Sequence, residues 1–149
     1  VRIREEVRQV SYAGDITPAQ AWDLLRDNPD AVLVDVRTEA EWRFVGVPDT
    51  SSIDRPTVLI EWVDGSGARN GAFADQLKQA LAGRADDSDA PVVFLCRSGQ
   101  RSIGAAAAAT VAGYAPSYNV LEGFEGPLDG NGHRGGAGWR ALGLPWRQS

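Results

Sequence analysis

A chain of 149 residues, 43% apolar and 23% charged, suits one soluble domain with a single sizeable core. Its net charge of −5 argues against a nucleic-acid partner, because binding a phosphate backbone needs a basic face. A single cysteine and a single histidine exclude an intramolecular disulfide and a Cys/His zinc site.

In chain order, residues 1–15 read as a charged N-terminal extension without a signal-peptide pattern. Thr17-Pro18 then supplies an N-cap and a Pro at the first helical position, predicting a helix over Ala19–Arg26 with Ala21, Trp22, Leu24 and Leu25 apolar. Ala31–Val34 is a continuous apolar run, the pattern of a strand covered on both faces. A short helix is expected over Glu39–Phe44 and an edge strand over Val58–Trp62. Asp64–Gly71 is a polar, turn-rich loop, and Phe73–Ala82 has helical spacing and stops at Gly83. Pro91–Leu95 is a second buried strand, followed by an Ala-rich helix over Ser102–Ala112 that ends at Gly113. Ser117–Leu121 is a weaker strand, and residues 126–138 form a loop insertion with six glycines. Strands alternating with helices, without repeat or linker, predict a single α/β domain over residues 1–149 with a mostly parallel sheet. The longest apolar run, Ile103–Ala115, is too short to span a membrane. With one free thiol, a reducing and hence cytoplasmic setting is expected, with no membrane partner.

The chemistry concentrates where the strand ends at Cys96 and the loop Arg97-Ser98-Gly99-Gln100 leads into the helix starting near Ser102. Ligands of open α/β sheets bind at the carboxyl ends of strands. A helix N-terminus there presents unpaired amides and partial positive charge to a thiolate, a persulfide or an oxyanion. Arg97 and Arg101 add two cations, Gly99 frees the backbone, and Ser98 or Ser102 can donate a hydroxyl to sulfur. Such surroundings lower a thiol pKa from about 8.5 to roughly 3.5–7.5. Alone, a strand-end cysteine is better explained as a small buried hydrophobe; the basic loop behind it reverses that and favours a reactive one. An acidic body with this local basic pocket points to a small anionic ligand.

Cys96-Arg97-Ser98-Gly99-Gln100-Arg101-Ser102 closely resembles the active-site loop of single-domain rhodanese-like sulfurtransferases. Leu33-Val34-Asp35-Val36-Arg37-Thr38-Glu39-Ala40-Glu41-Trp42 resembles the family's DVR segment. Asn119–Phe124 followed by Trp139–Pro145 resembles its C-terminal LEGG…W…GLP ending. The matches run in the family's order from about Thr17 to Trp146.

The resemblance implies a rhodanese-like three-layer α/β/α fold with a sheet of about five strands. It also implies a thiosulfate sulfurtransferase activity. The Cys96 thiolate takes a sulfane sulfur from thiosulfate or a similar anionic donor and passes it from a persulfide to a thiol, cyanide or protein acceptor. No metal or organic cofactor is implied. The segment Arg97–Ser102 would cradle donor and persulfide; Asp35 and Arg37, at the end of the adjacent strand, are read as an internal ion pair bracing the loop, the alternative being direct contact with substrate. The family's GHIPGA stretch is altered to Phe44-Val45-Gly46-Val47-Pro48-Asp49-Thr50. In the 126–138 insertion, His133 and Arg134 either reach the pocket mouth or belong to a surface loop. The five tryptophans are expected to pack in the core and its rim.

Two other functions share these features. A phosphatase or arsenate reductase uses a Cys-x5-Arg loop, one residue longer than the Cys-x4-Arg found here, and the shorter loop suits a single sulfur atom. A non-enzymatic persulfide carrier would need the same loop as the enzyme.

Overall fold

Thr17 opens the first helix with a reciprocal cap. Its hydroxyl accepts the Gln20 amide at 3.1 Å, and the Gln20 side chain accepts the Thr17 amide at 2.9 Å. The computed structural model describes residues 12–84 and 88–148. The elements are β1 (Gly14–Ile16), α1 (Pro18–Asp27), β2 (Val32–Asp35), α2 (Glu39–Phe44), β3 (Val47–Pro48), a 3-10 turn (Ser51–Ile53) and β4 (Thr57–Leu59). They continue as α3 (Phe73–Ala80), β5 (Val92–Leu95), α4 (Arg101–Val111), β6 (Ser117–Val120) and β7 (Trp146–Arg147).

Five strands form one sheet in the order β1-β6-β5-β2-β4, and every pairing in it is parallel. Parallel neighbours need a crossover, and the intervening helices provide it on both faces. Alternation along each strand sorts the core into two layers. Val32, Val34, Val92, Phe94 and Cys96 pack with Phe73 and Leu77 of α3 and Ala105, Ala106 and Ala109 of α4. Leu33, Val93 and Leu95 face the other way, onto Ala21 and Leu25 of α1 and onto Phe124 and Trp139. This is the expected three-layer α/β/α arrangement.

The register sets Asp35 opposite Leu95 and Phe94 opposite Asn119, so the carboxyl ends of β2, β5 and β6 lie side by side. The strand expected over Val58–Trp62 is the edge strand β4, shifted to Thr57–Leu59. Two features were not anticipated. Gly14 and Asp15, read as the end of an extension, belong to the sheet through β1, whose register places Asp15 opposite Asn119; residues 1–11 of that extension lie outside the described residues. The second is an antiparallel pair, β3 with β7, that fastens the C-terminal segment to the turn after α2. No helix among the described residues is long and apolar enough to cross a membrane.

Candidate functional site

Cys96 follows the last residue of β5 and is 1% exposed, its side chain among those of the α3/α4 layer. The chain turns through residues 97–100 and enters α4 at Arg101, one residue earlier than expected. Gly99, at φ +96°, makes that turn, and its amide donates to Cys96 Sγ at 3.2 Å. Ser102 Oγ lies 3.1 Å from the same sulfur. The sulfur thus lies against a backbone amide beneath the N-terminus of an eleven-residue helix, the end that carries the partial positive charge of the helix dipole.

The carbonyl side of the turn is held from behind. Phe124 and Glu125 donate their amides to the carbonyls of Cys96 and Arg97 at 2.8 and 2.9 Å. Gly123 makes this approach possible: at φ +59°, a Cβ there would lie 2.6 Å from the Arg97 carbonyl carbon. The Leu-Glu-Gly-Phe segment thus presses against the back of the cysteine loop.

The two arginines of the loop differ. Arg101 makes a two-pronged ion pair with Glu41 of α2, Nη1 to Oε1 at 2.8 Å and Nη2 to Oε2 at 2.9 Å. Hydrogen bonding to Glu41 raises the Arg101 pKa, with smaller contributions in the same direction from the charges of Glu41, Cys96 and Asp35. Arg97 is exposed and forms no ion pair among the described residues. Ser98 is half-buried and Gln100 exposed at the rim of the turn.

Asp35 and Arg37 are both fully buried, Nη2 to Oδ2 at 2.6 Å and Nε to Oδ1 at 3.0 Å. Arg37 Nη2 also donates to Gly46 O at 2.7 Å, and the guanidinium lies 4.2 Å from the Phe124 ring centroid. The pair therefore ties the end of β2 to the turn before β3 and to the segment behind the cysteine loop. His133 is exposed, and the half-buried Arg134 donates to Gly126 O at 2.9 Å, inside its own loop. Among the described residues no cluster of His, Cys, Asp or Glu could hold a metal ion.

Two residues at the site were not singled out from the sequence. Glu41 lies within the Leu33–Trp42 segment, where the sequence assigns it no role of its own. Asn119 of β6 donates Nδ2 to Gly99 O at 3.2 Å and to Asp15 Oδ1 at 3.1 Å, while its Oδ1 faces Ser102 Oγ. A polar side chain within the buried strand Ser117–Val120 was the available signal, since buried amides need partners.

The model of the Rhodanese-like domain family matches residues 17–127. An uncharacterized protein of Rickettsia conorii is 35% identical over 133 residues, covering 89% of this chain and 96% of its own length. The thiosulfate sulfurtransferase GlpE of Glaesserella parasuis is 34% identical over 112 residues, covering 75% of this chain and 83% of its own. Among solved structures, Rv0390 of M. tuberculosis is 62% identical and superposes with a TM-score of 0.84 over 93% of this chain and 99% of that one. The polysulfide-sulfur transferase of Wolinella succinogenes, 21% identical, shares the fold with a TM-score of 0.59 over 99% of this chain and 88% of that one. The chain belongs to the Rhodanese-like domain family.

Proposed function

We propose that the protein is a sulfurtransferase that carries sulfane sulfur on Cys96. The observation behind this reading is the placement of Cys96 Sγ at the carboxyl end of a central strand, held by the Gly99 amide under the start of α4. The Cys96 thiolate attacks the outer sulfur of thiosulfate; the S–S bond breaks, sulfite leaves with the electron pair, and a Cys96 persulfide forms. A thiol, cyanide or a protein thiol then attacks the outer sulfur and regenerates the thiolate. Both steps are sulfur-to-acceptor displacements that need no metal or organic cofactor. The exposed Arg97 draws in the anionic donor, and the turn 97–102 surrounds the transferred sulfur. A reducing compartment such as the cytoplasm keeps the thiol available. The similarity to a thiosulfate sulfurtransferase supports the donor class.

A phosphatase reading fits less well. Its arginine must grip a phosphoryl group with a free fork, whereas both prongs of Arg101 are engaged by Glu41.

After incubation with thiosulfate, intact-mass spectrometry should show a gain of one sulfur on Cys96, released as thiocyanate by cyanide. Cys96→Ser should lose both signals and keep its circular dichroism. A serine variant that still gains sulfur sinks this mechanism. More than one thiocyanate per chain marks an enzyme, and a single one marks a carrier. In the same assay Arg97→Ala should raise KM for thiosulfate several-fold, with the difference shrinking at high salt.

A further inference from the structure

Asn119, Ser102 and Cys96 form a buried chain of polar groups, at 0%, 0% and 1% exposure. The number of hydrogens in that chain fixes its direction. Both groups that Nδ2 of Asn119 contacts, Gly99 O and Asp15 Oδ1, can only accept. Rotating the amide would set its oxygen against two other oxygens, so Oδ1 must face Ser102. Ser102 Oγ carries one hydrogen and stands between two acceptors, Asn119 Oδ1 and Cys96 Sγ. With that hydrogen given to Oδ1, Ser102 offers sulfur a lone pair, and its partner there is the S–H of a thiol. Asp15, which also accepts the Tyr12 hydroxyl at 2.9 Å, anchors the far end.

We infer that Asn119 is a positioning residue that turns the Ser102 hydroxyl away from sulfur and holds resting Cys96 as a thiol. This deepens the sulfurtransferase reading and rests on Cys96 as its nucleophile. When the S–H bond breaks, the proton leaves to water and the Ser102 hydrogen swings from Oδ1 to the sulfur anion. Thiolate formation therefore costs the Ser102–Asn119 hydrogen bond, and the Gly99 amide is the donor present in both states. The hydroxyl that the sequence suggested as a donor to sulfur is committed elsewhere until that swing.

The charged groups around this chain are Arg101 on α4 with its partner Glu41 on α2, the Asp35–Arg37 pair beyond β2, Arg97 in the turn and Asp15 on β1. Asn119→Leu removes the partner of Asp15 Oδ1 and Gly99 O, whereas the Ser102 variants keep both contacts, so the effect of the charged groups cancels when Ser102 is varied within one Asn119 background.

The test is the titration of Cys96, read by ultraviolet thiolate absorbance and by the pH dependence of alkylation with iodoacetamide; neither readout needs sulfur transfer. Asn119→Leu should lower the apparent Cys96 pKa by about one unit, because the freed hydroxyl now donates to the thiolate. Adding Ser102→Ala should reverse that shift, which a purely structural role for Asn119 does not explain. In the native background Ser102→Ala should leave the pKa level or lower, and Ser102→Thr should reproduce the native profile. The Ser102 variants decide the matter even if Asn119→Leu fails to fold. An unchanged or raised pKa in folded Asn119→Leu overturns the inference, as does a rise of about one unit in Ser102→Ala. If these shifts appear but thiosulfate adds no sulfur, the sulfur-transfer reading falls and the control of the thiol stands.

Discussion

The carboxylate of Glu41 accepts the Thr38 amide at the start of α2 and both terminal nitrogens of Arg101 at the start of α4, so one side chain ties together two helix N-termini. Burial pushes the Glu41 carboxyl up. The Arg101 hydrogen bonds and charge and the Thr38 contacts outweigh it and leave the group below its ordinary value. A carboxyl lowered in the folded state stabilises the fold above its unfolded pKa, and that contribution disappears as pH falls through the folded pKa. Glu41→Gln keeps a capping side chain at this position but removes the charge opposite a largely buried guanidinium. We expect it to cost about 2 kcal/mol near neutral pH, measured by urea unfolding. The two stability curves should converge as pH drops below about 4.3. A gap that persists in acid would place the effect in packing rather than in ionisation.

At the scale of elements, the cysteine turn is held on its amide side by the start of α4 and on its carbonyl side by the segment after β6. Gly123 permits the second contact, so Gly123→Ala meets both an unfavourable left-handed backbone and the Cys96–Arg97 peptide. The expected loss is about 2–4 kcal/mol, seen as a lower urea midpoint, with slower persulfide formation in the fraction that folds. This pairing explains what was legible in the sequence. β2, β5 and their helices announce themselves through continuous apolar runs, capping residues and helical spacing, which are local signals. The loop Cys96–Ser102 was equally plain, because Gly, Arg and Ser at those spacings have little reason to follow a buried strand otherwise. β1 was not legible: Gly14-Asp15-Ile16 has one apolar residue and takes its conformation from pairing with β6. Asn119 was hidden for the same reason, since its partners lie far away in sequence at Asp15, Gly99 and Ser102. Arg101 looked like a free cation because nothing in its own neighbourhood shows that Glu41 comes to meet it.

Across the whole molecule, the C-terminal segment closes over the turn after α2. Trp139 is fully buried and donates Nε1 to the backbone carbonyl of Pro145 at 2.8 Å, which accounts for a tryptophan at position 139. Asp49 donates its amide to the same carbonyl at 3.0 Å, and Trp146 pairs with Pro48 across β3 and β7. The Trp146 ring meets Phe124 edge-on at 6.2 Å. It also lies over Gly46, where a Cβ would come within 2.8 Å of it. Gly46 in turn accepts Arg37, and Arg37 holds Asp35 beside the strand that carries Cys96. The chain's end is therefore mechanically linked to the site through Gly46. Trp146 is 39% exposed, so Trp146→Ala loses only part of a buried tryptophan's contribution, about 2 kcal/mol. Gly46→Ala collides with the same ring and, at φ +113°, adopts a backbone conformation that alanine disfavours. It also comes within 2.9 Å of the Arg147 carbonyl, so it should be the more damaging of the two. In the double variant the ring is already gone, and only the backbone strain and the Arg147 contact remain. Its loss, measured by urea unfolding, should fall short of the sum of the single losses by about 1 kcal/mol. Strict additivity would show that the C-terminal ring and the Arg37 turn are not coupled.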